Sequence, residues 1–159
     1  RPILETTLAQ LATFGFKAVL ILTGHYPHEQ VDMVHQLATD AATRNPKTRF
    51  IGLSEPEVTT PLPGDKRRGD HAAKYETSIA MALDREWVKM EYLTPDHNPD
   101  RTTLEKTPRN ERPTHDPTHP LYAIYGDDPR ETASIENGQK LVDEIVNRLT
   151  NQVESALGR

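Results

Sequence analysis

The run Leu20-Ile21-Leu22-Thr23-Gly24-His25-Tyr26-Pro27 is an apolar, branched stretch that stops at a glycine and at once presents an imidazole and a phenol. Continuous apolar runs of this kind mark strands buried on both faces of a parallel sheet. Open α/β sheets place their ligands just past the carboxyl ends of such strands, where His25 and Tyr26 fall. Gly24 is expected to let the backbone turn sharply and aim the imidazole into that crevice. Pro27, at a first-turn position that needs no N–H, opens a helix with Glu29 and Gln30 behind it. Val31, Val34, Leu37, Ala38, Ala41 and Ala42 recur at helical spacing and give that helix one apolar face. Strand, tight turn and helix make a βα unit with His25 in the turn.

Outward from this unit, Leu4, Thr7, Leu8 and Leu11 predict an amphipathic helix over 3–13, with Gly15 as its stop. The strand itself reads from Lys17 to Thr23. Thr48 to Leu53 is a second short strand that returns beside the first. A loop over 54–70 carries Pro56, Pro61, Pro63, Gly64 and the basic cluster Lys66-Arg67-Arg68. Helical periodicity resumes from His71 to Leu83 through Ala72, Tyr75, Ile79 and Ala82. Residues 92–120 hold six of the thirteen prolines, so a surface excursion or lid is expected there. Leu121 to Tyr125 reads as a last strand, and Ser134 to Leu157 as a long helix with Ile135, Val142, Ile145, Val146, Leu149 and Val153 on one face.

The length of 159 residues fits one α/β domain that can bury a real core. The absence of cysteine removes disulfides and thiolate metal sites, so any metal must be held by His, Asp or Glu. A formal charge of −5 gives no electrostatic reason to expect nucleic acid. No apolar run is long enough to cross a bilayer and no secretory signal opens the chain, so no membrane partner is expected and a cytoplasmic setting fits. The chain starts Arg1-Pro2-Ile3 and enters a helical pattern almost at once, which raises the expectation of a missing preceding segment.

Two places carry chemistry. His25 is either a metal ligand or a histidine hydrogen-bonded within a turn. Gly69-Asp70-His71-Ala72-Ala73-Lys74-Tyr75-Glu76-Thr77-Ser78 supplies a second histidine and a carboxylate near a helix start. Glu76 lies five residues after His71, out of alignment on a continuous helix. The two can flank one site if His71 sits at the helix entry and Glu76 projects from the next turn. The plain alternative for Glu76 is a solvated helix carboxylate, and for Asp70 a helix N-cap. His28 and Glu29 read as an exposed first turn, His115 and His119 as loop residues, and Trp87 as a core or rim aromatic.

These residues, in this order, resemble the creatininase (creatinine amidohydrolase) family. Gly24-His25-Tyr26 after an apolar strand is similar to the family's Asn-Gly-His segment, and His71-Ala72-Ala73-Lys74-Tyr75-Glu76-Thr77 to its His-Ala-Gly-x-x-Glu-Thr. Tyr125-Gly126-Asp127-Asp128-Pro129, Ala133-Ser134 and Glu136-Asn137-Gly138 resemble its closing Gly-Asp-Pro, Ala-Ser and Glu-x-Gly signature. The resemblance implies a three-layer α/β/α fold on a mostly parallel sheet and a two-metal centre of zinc or manganese. It also implies hydrolysis of a non-peptide or cyclic amide C–N bond in a small molecule, by a homo-oligomer. Under it His25 and Glu76 are metal ligands and His71 is the acid/base at the leaving nitrogen. Tyr26 and Asp70 lie on the substrate side. Two cations polarise a carbonyl and acidify a water, and a positioned histidine delivers a proton.

Departures from the family pattern are equally specific. Thr23 stands where the family often has Asn. Pro27 replaces a metal-binding Glu of creatininase itself, and Ala73 replaces a Gly, a change expected to narrow the pocket. The family's Glu-x-His, which supplies further ligands, occurs nowhere in the sequence. The expectation is a site only partly present, completed by a missing segment or another chain. The competing reading is a non-catalytic α/β binding or assembly protein that kept the scaffold. A phosphate-binding βα module is weaker, because one glycine at the turn is too little for a phosphate cradle.

Overall fold

The computed structural model describes residues 1–65, 70–93, 124 and 126–159. The basic cluster at 66–68, the proline-rich excursion from residue 94 onward with His115 and His119, and most of the strand expected at 121–125 lie outside the described residues. The chain divides into two compact units: Arg1–Thr60 with Glu144–Arg159, and Pro61–Asp143.

The first unit is built on the βα unit read from the sequence. Helix α1 (Pro2–Thr13) ends where Gly15 takes a φ of +87°, with its N–H on the Ala12 carbonyl and the Phe16 N–H on the Leu11 carbonyl. That paired closure is the Schellman arrangement, which a residue with a side chain adopts only under strain. Strand β1 (Ala18–Thr23) pairs in parallel with β2 (Arg49–Ser54), from Ala18 opposite Arg49 to Thr23 opposite Ser54. Helix α2 (His28–Arg44) crosses between them. It lies so close to β2 that a Cβ on Gly52 would sit 2.7 Å from the Val34 carbonyl oxygen. Leu8, Val19, Leu37 and Ala41 form the core, flanked by Leu11, Ile21, Met33 and Phe50. β1 is less enclosed than an apolar run suggests: Leu22 is 40% exposed, because β2 is its one strand neighbour among the described residues.

Past β2, a 3-10 turn (Glu55–Val58) is closed by a capping box, in which the Glu57 carboxylate accepts from the Ser54 N–H and hydroxyl, both at 2.7 Å. His35 of α2 lies 3.1 Å from the same carboxylate. Burial pushes the Glu57 acid up, but the Ser54 bonds and His35 outweigh it and hold its pKa below the ordinary value.

The second unit contains helix α3 (Lys74–Leu83), 3-10 turns at Arg85–Trp87 and Met90–Tyr92, and the short helix α4 (Pro129–Thr132). The long helix α5 (Ile135–Leu157) follows, with residues up to Asp143 in this unit and the rest in the first. Leu62, Tyr75 and Leu141 form one cluster with Ile79, and Ala73 packs with Ile124 and Leu93 in another. Two side chains fix where α5 begins. Ser134 accepts the Asn137 N–H at 3.1 Å as a cap, and its own N–H goes to the Ser78 hydroxyl at 3.0 Å. Gly138 then meets α3 so closely that a Cβ there would overlap the Ser78 carbonyl. Among the described residues no helix is long and apolar enough to cross a membrane.

Candidate functional site

In the first unit, the turn after β1 is organised by a hydroxyl rather than by its glycine. Thr23 Oγ1 donates to the His25 carbonyl at 2.6 Å and accepts the His25 N–H at 3.2 Å. Gln30 Nε2 of α2 approaches the same oxygen at 3.4 Å. Side-chain closure of this kind is a local turn that needs no left-handed residue. Gly24 accordingly has no positive φ, and among the described residues nothing lies within 4 Å of where its Cβ would stand. The expected need for glycine at this bend is therefore corrected: Thr23, standing where the family often has Asn, makes the bend. Pro27 is likewise one step earlier than expected. It is the N-cap of α2, and its carbonyl accepts from Gln30 and Val31. His25 is exposed and Tyr26 half-buried at this strand end, and His28 and Glu29 are exposed in the first turn of α2.

In the second unit, Asp70, His71 and Glu76 come together around the start of α3. Asp70 is 9% exposed, and its carboxylate accepts the Tyr75 N–H at 2.6 Å and the Glu76 N–H at 3.2 Å. These are first-turn amides of α3 that would otherwise lack partners, so Asp70 caps the helix from four residues before its first turn. Burial raises the Asp70 pKa, the nearby Glu76 charge adds to the rise, and the N–H bonds oppose it. Glu76 reaches back in turn: its Oε2 accepts the Ala72 N–H at 2.8 Å and lies 3.4 Å from His71 Nδ1. His71 thus sits at the helix entry with Glu76 projecting from the first turn, the arrangement their spacing allows.

The reach-back depends on Ala72, which holds a φ of +49°. Left-handed backbone costs a residue with a Cβ about 1–2 kcal/mol, and nothing in an alanine announces it from sequence. Ala73, expected to narrow a pocket, is instead fully buried against Ile124 and Leu93. Gly126, with φ +146°, closes the back of this loop: a Cβ there would stand 2.7 Å from that of Ala73 and 3.0 Å from that of Asp70. Asp128 caps α4 through the Arg130 N–H at 2.9 Å and holds the Arg130 guanidinium, so this residue of the closing signature also serves the scaffold. Tyr75 donates to Asp65 at 3.0 Å and accepts the Leu62 N–H at 2.7 Å. Its burial and the Asp65 charge push its pKa up to about 12.

Imidazole nitrogen and carboxylate oxygen are the donor types that zinc and manganese accept, so His25 in the first unit and, separately, His71 and Glu76 in the second suit such an ion in kind. In number they are few: among the described residues no three His, Asp or Glu side chains gather at one point.

No curated protein sequence matches the chain. A solved structure from Bacteroides fragilis NCTC 9343, described as a candidate creatinine amidohydrolase, matches with a TM-score of 0.65 and 24% identity. The match covers 98% of this chain and 60% of that one, so the chain spans less than two thirds of that protein's length. At this identity the likeness speaks for the fold. The family model of creatininase, described as creatinine amidohydrolase, matches residues 1–153, and the chain belongs to the creatininase family.

Proposed function

We propose that these residues supply part of a metal-dependent hydrolase acting on a non-peptide or cyclic amide C–N bond of a small molecule. Family membership over residues 1–153 carries this reading. His25 and Glu76 are its metal ligands, with zinc or manganese as the ion, in a two-metal centre that needs further donors. When bound, such ions polarise the amide carbonyl and lower the pKa of a water. His71 is the acid/base: its imidazole stands 3.4 Å from the Glu76 carboxylate, and it hands a proton to the leaving nitrogen. Tyr26 and Asp70 stand on the substrate side, Asp70 chiefly by fixing the loop that presents His71. The same reading includes the fuller three-layer sheet of the family fold and a homo-oligomer.

Titration of the chelator-treated chain with Zn²⁺ and Mn²⁺, followed by calorimetry, tests the assignment. His25→Ala and Glu76→Gln should each weaken binding of the cation. Equal cation affinity in the parent and both variants would overturn the ligand assignment. Hydrolysis of a cyclic amide panel that survives exhaustive chelation would overturn the metal dependence.

A further inference from the structure

We infer that Thr23 is the residue that positions His25 for its cation, and that Gly24, the more conspicuous neighbour, is dispensable to the site. This rests on the metal-ligand reading of His25 and adds what holds that ligand in place. Thr23 is 7% exposed at the last position of β1. A hydroxyl has one hydrogen to give and two lone pairs to receive on. In Thr23 all three are used: Oγ1 donates to the His25 carbonyl at 2.6 Å, accepts the His25 N–H at 3.2 Å and accepts from Gln30 Nε2 at 3.4 Å. The hydroxyl is thus tied to the turn and to the first turn of α2 at once.

The two bonds to His25 fall on the peptide groups on either side of its Cα. A residue tied at both its N–H and its carbonyl to one buried oxygen has its Cα–Cβ direction set by whatever carries that oxygen. This holds whichever groups its ring then touches. Here the carrier is β1, whose parallel ladder ends with Thr23 opposite Ser54. Thr23 therefore extends the rigidity of the sheet to a side chain that lies beyond it, and leaves less for a bound ion to order. Gly24 lies inside the loop so closed. It takes no left-handed conformation, and among the described residues nothing stands within 4 Å of where its Cβ would be, so alanine fits there.

Zn²⁺ titration of the chelator-treated chain by calorimetry, beside nitrogen-15 relaxation of the metal-free chain, tests this. Thr23→Val should weaken Zn²⁺ binding about tenfold, while Thr23→Ser and Gly24→Ala should stay within about twofold of the parent. Without metal, Thr23→Val should lower the backbone order parameter of His25, and Thr23→Ser should not. Unchanged amide shifts of α2 beyond its first turn verify that the variants are folded. Parent-like affinity in Thr23→Val, in a series where His25→Ala binds weakly, would overturn the positioning role. A tenfold loss in Gly24→Ala would overturn the dispensability of the glycine, even if Thr23→Val did not fold. Parent-like affinity in His25→Ala would remove the ligand reading instead. The order parameter then decides alone: an unchanged value at His25 in Thr23→Val would overturn the inference, and a lowered one would uphold the hold of Thr23 on His25.

Discussion

Among the described residues, two loops present a histidine ahead of a helix, and they are built on opposite principles. After β1, a neutral hydroxyl closes the turn: Thr23 bonds to the backbone of His25, and among the described residues the following helix has no side-chain cap. Before α3, two carboxylates hold the loop from both ends, Asp70 on the helix amides and Glu76 on the Ala72 N–H. The neutral turn holds no residue in the left-handed region. The charged loop buries an acid and keeps an alanine left-handed. Such costs are met where geometry matters, and the geometry fixed in the second loop is the relation of His71 to Glu76.

The comparison breaks most readily at Asp70. Asp70→Ala leaves first-turn amides without an acceptor and should cost about 2 kcal/mol in denaturant unfolding, near the upper end for a lost cap. A cost no larger than that of an exposed substitution would mean that the carboxylate is not what holds the loop. Thr23→Val, nearly the same shape without the hydroxyl, should cost about 1 kcal/mol and speed hydrogen exchange at the His25 amide. Unchanged exchange there would show that the turn holds itself.

Ala72→Gly should act in the other direction. Relief of left-handed strain outweighs the added freedom of the unfolded chain, for a net gain of about 0.5 kcal/mol. A loss of stability would contradict strain at this position.

The smallest effect is a pH dependence. Asp70 has its pKa raised above the ordinary 3.8 by burial, so the folded state binds its proton more tightly than the unfolded state does. Its contribution is then fully present below that ordinary value and is lost as pH rises through the raised one. The stability of the parent relative to Asp70→Asn should therefore fall as pH rises from below 3.8 into the weakly acidic range. Parallel pH profiles for the two proteins would refute the raised pKa. Glu57 behaves oppositely: its lowered pKa contributes stability above 4.5 that is lost as pH falls, a loss that Glu57→Gln should not show.

The βα unit was legible because hydrophobic period, a stop and a proline agreed on it, and the parallel partner at Arg49–Ser54 followed from a short branched run. The positions of His71 and Glu76 were also within reach, since their spacing allows contact only across a helix entry. What escaped was whatever depends on backbone approach. Gly24 looked essential and is not, while Thr23 makes the turn with a hydroxyl whose role no period reveals. A threonine just before a Gly-His bend is nonetheless a recognisable signal for a side-chain-closed turn. Ala72 gave none, because its conformation is imposed by Glu76 and the packing around it. Ala73 packs inward rather than facing a pocket, and a one-carbon side chain carries no mark of which way it points.

The closing signature has a consequence of its own. Gly126 is small because Asp70 and Ala73 press against it, Ser134 starts a helix, and Gly138 lets that helix touch the Ser78 backbone. Each of these residues serves the scaffold and none holds a proton or an ion in these contacts. A pattern drawn from them would therefore recognise a descendant that had kept the architecture and abandoned the reaction as readily as a working enzyme. Under the function proposed above, the diagnostic weight for chemistry rests on His25, His71 and Glu76.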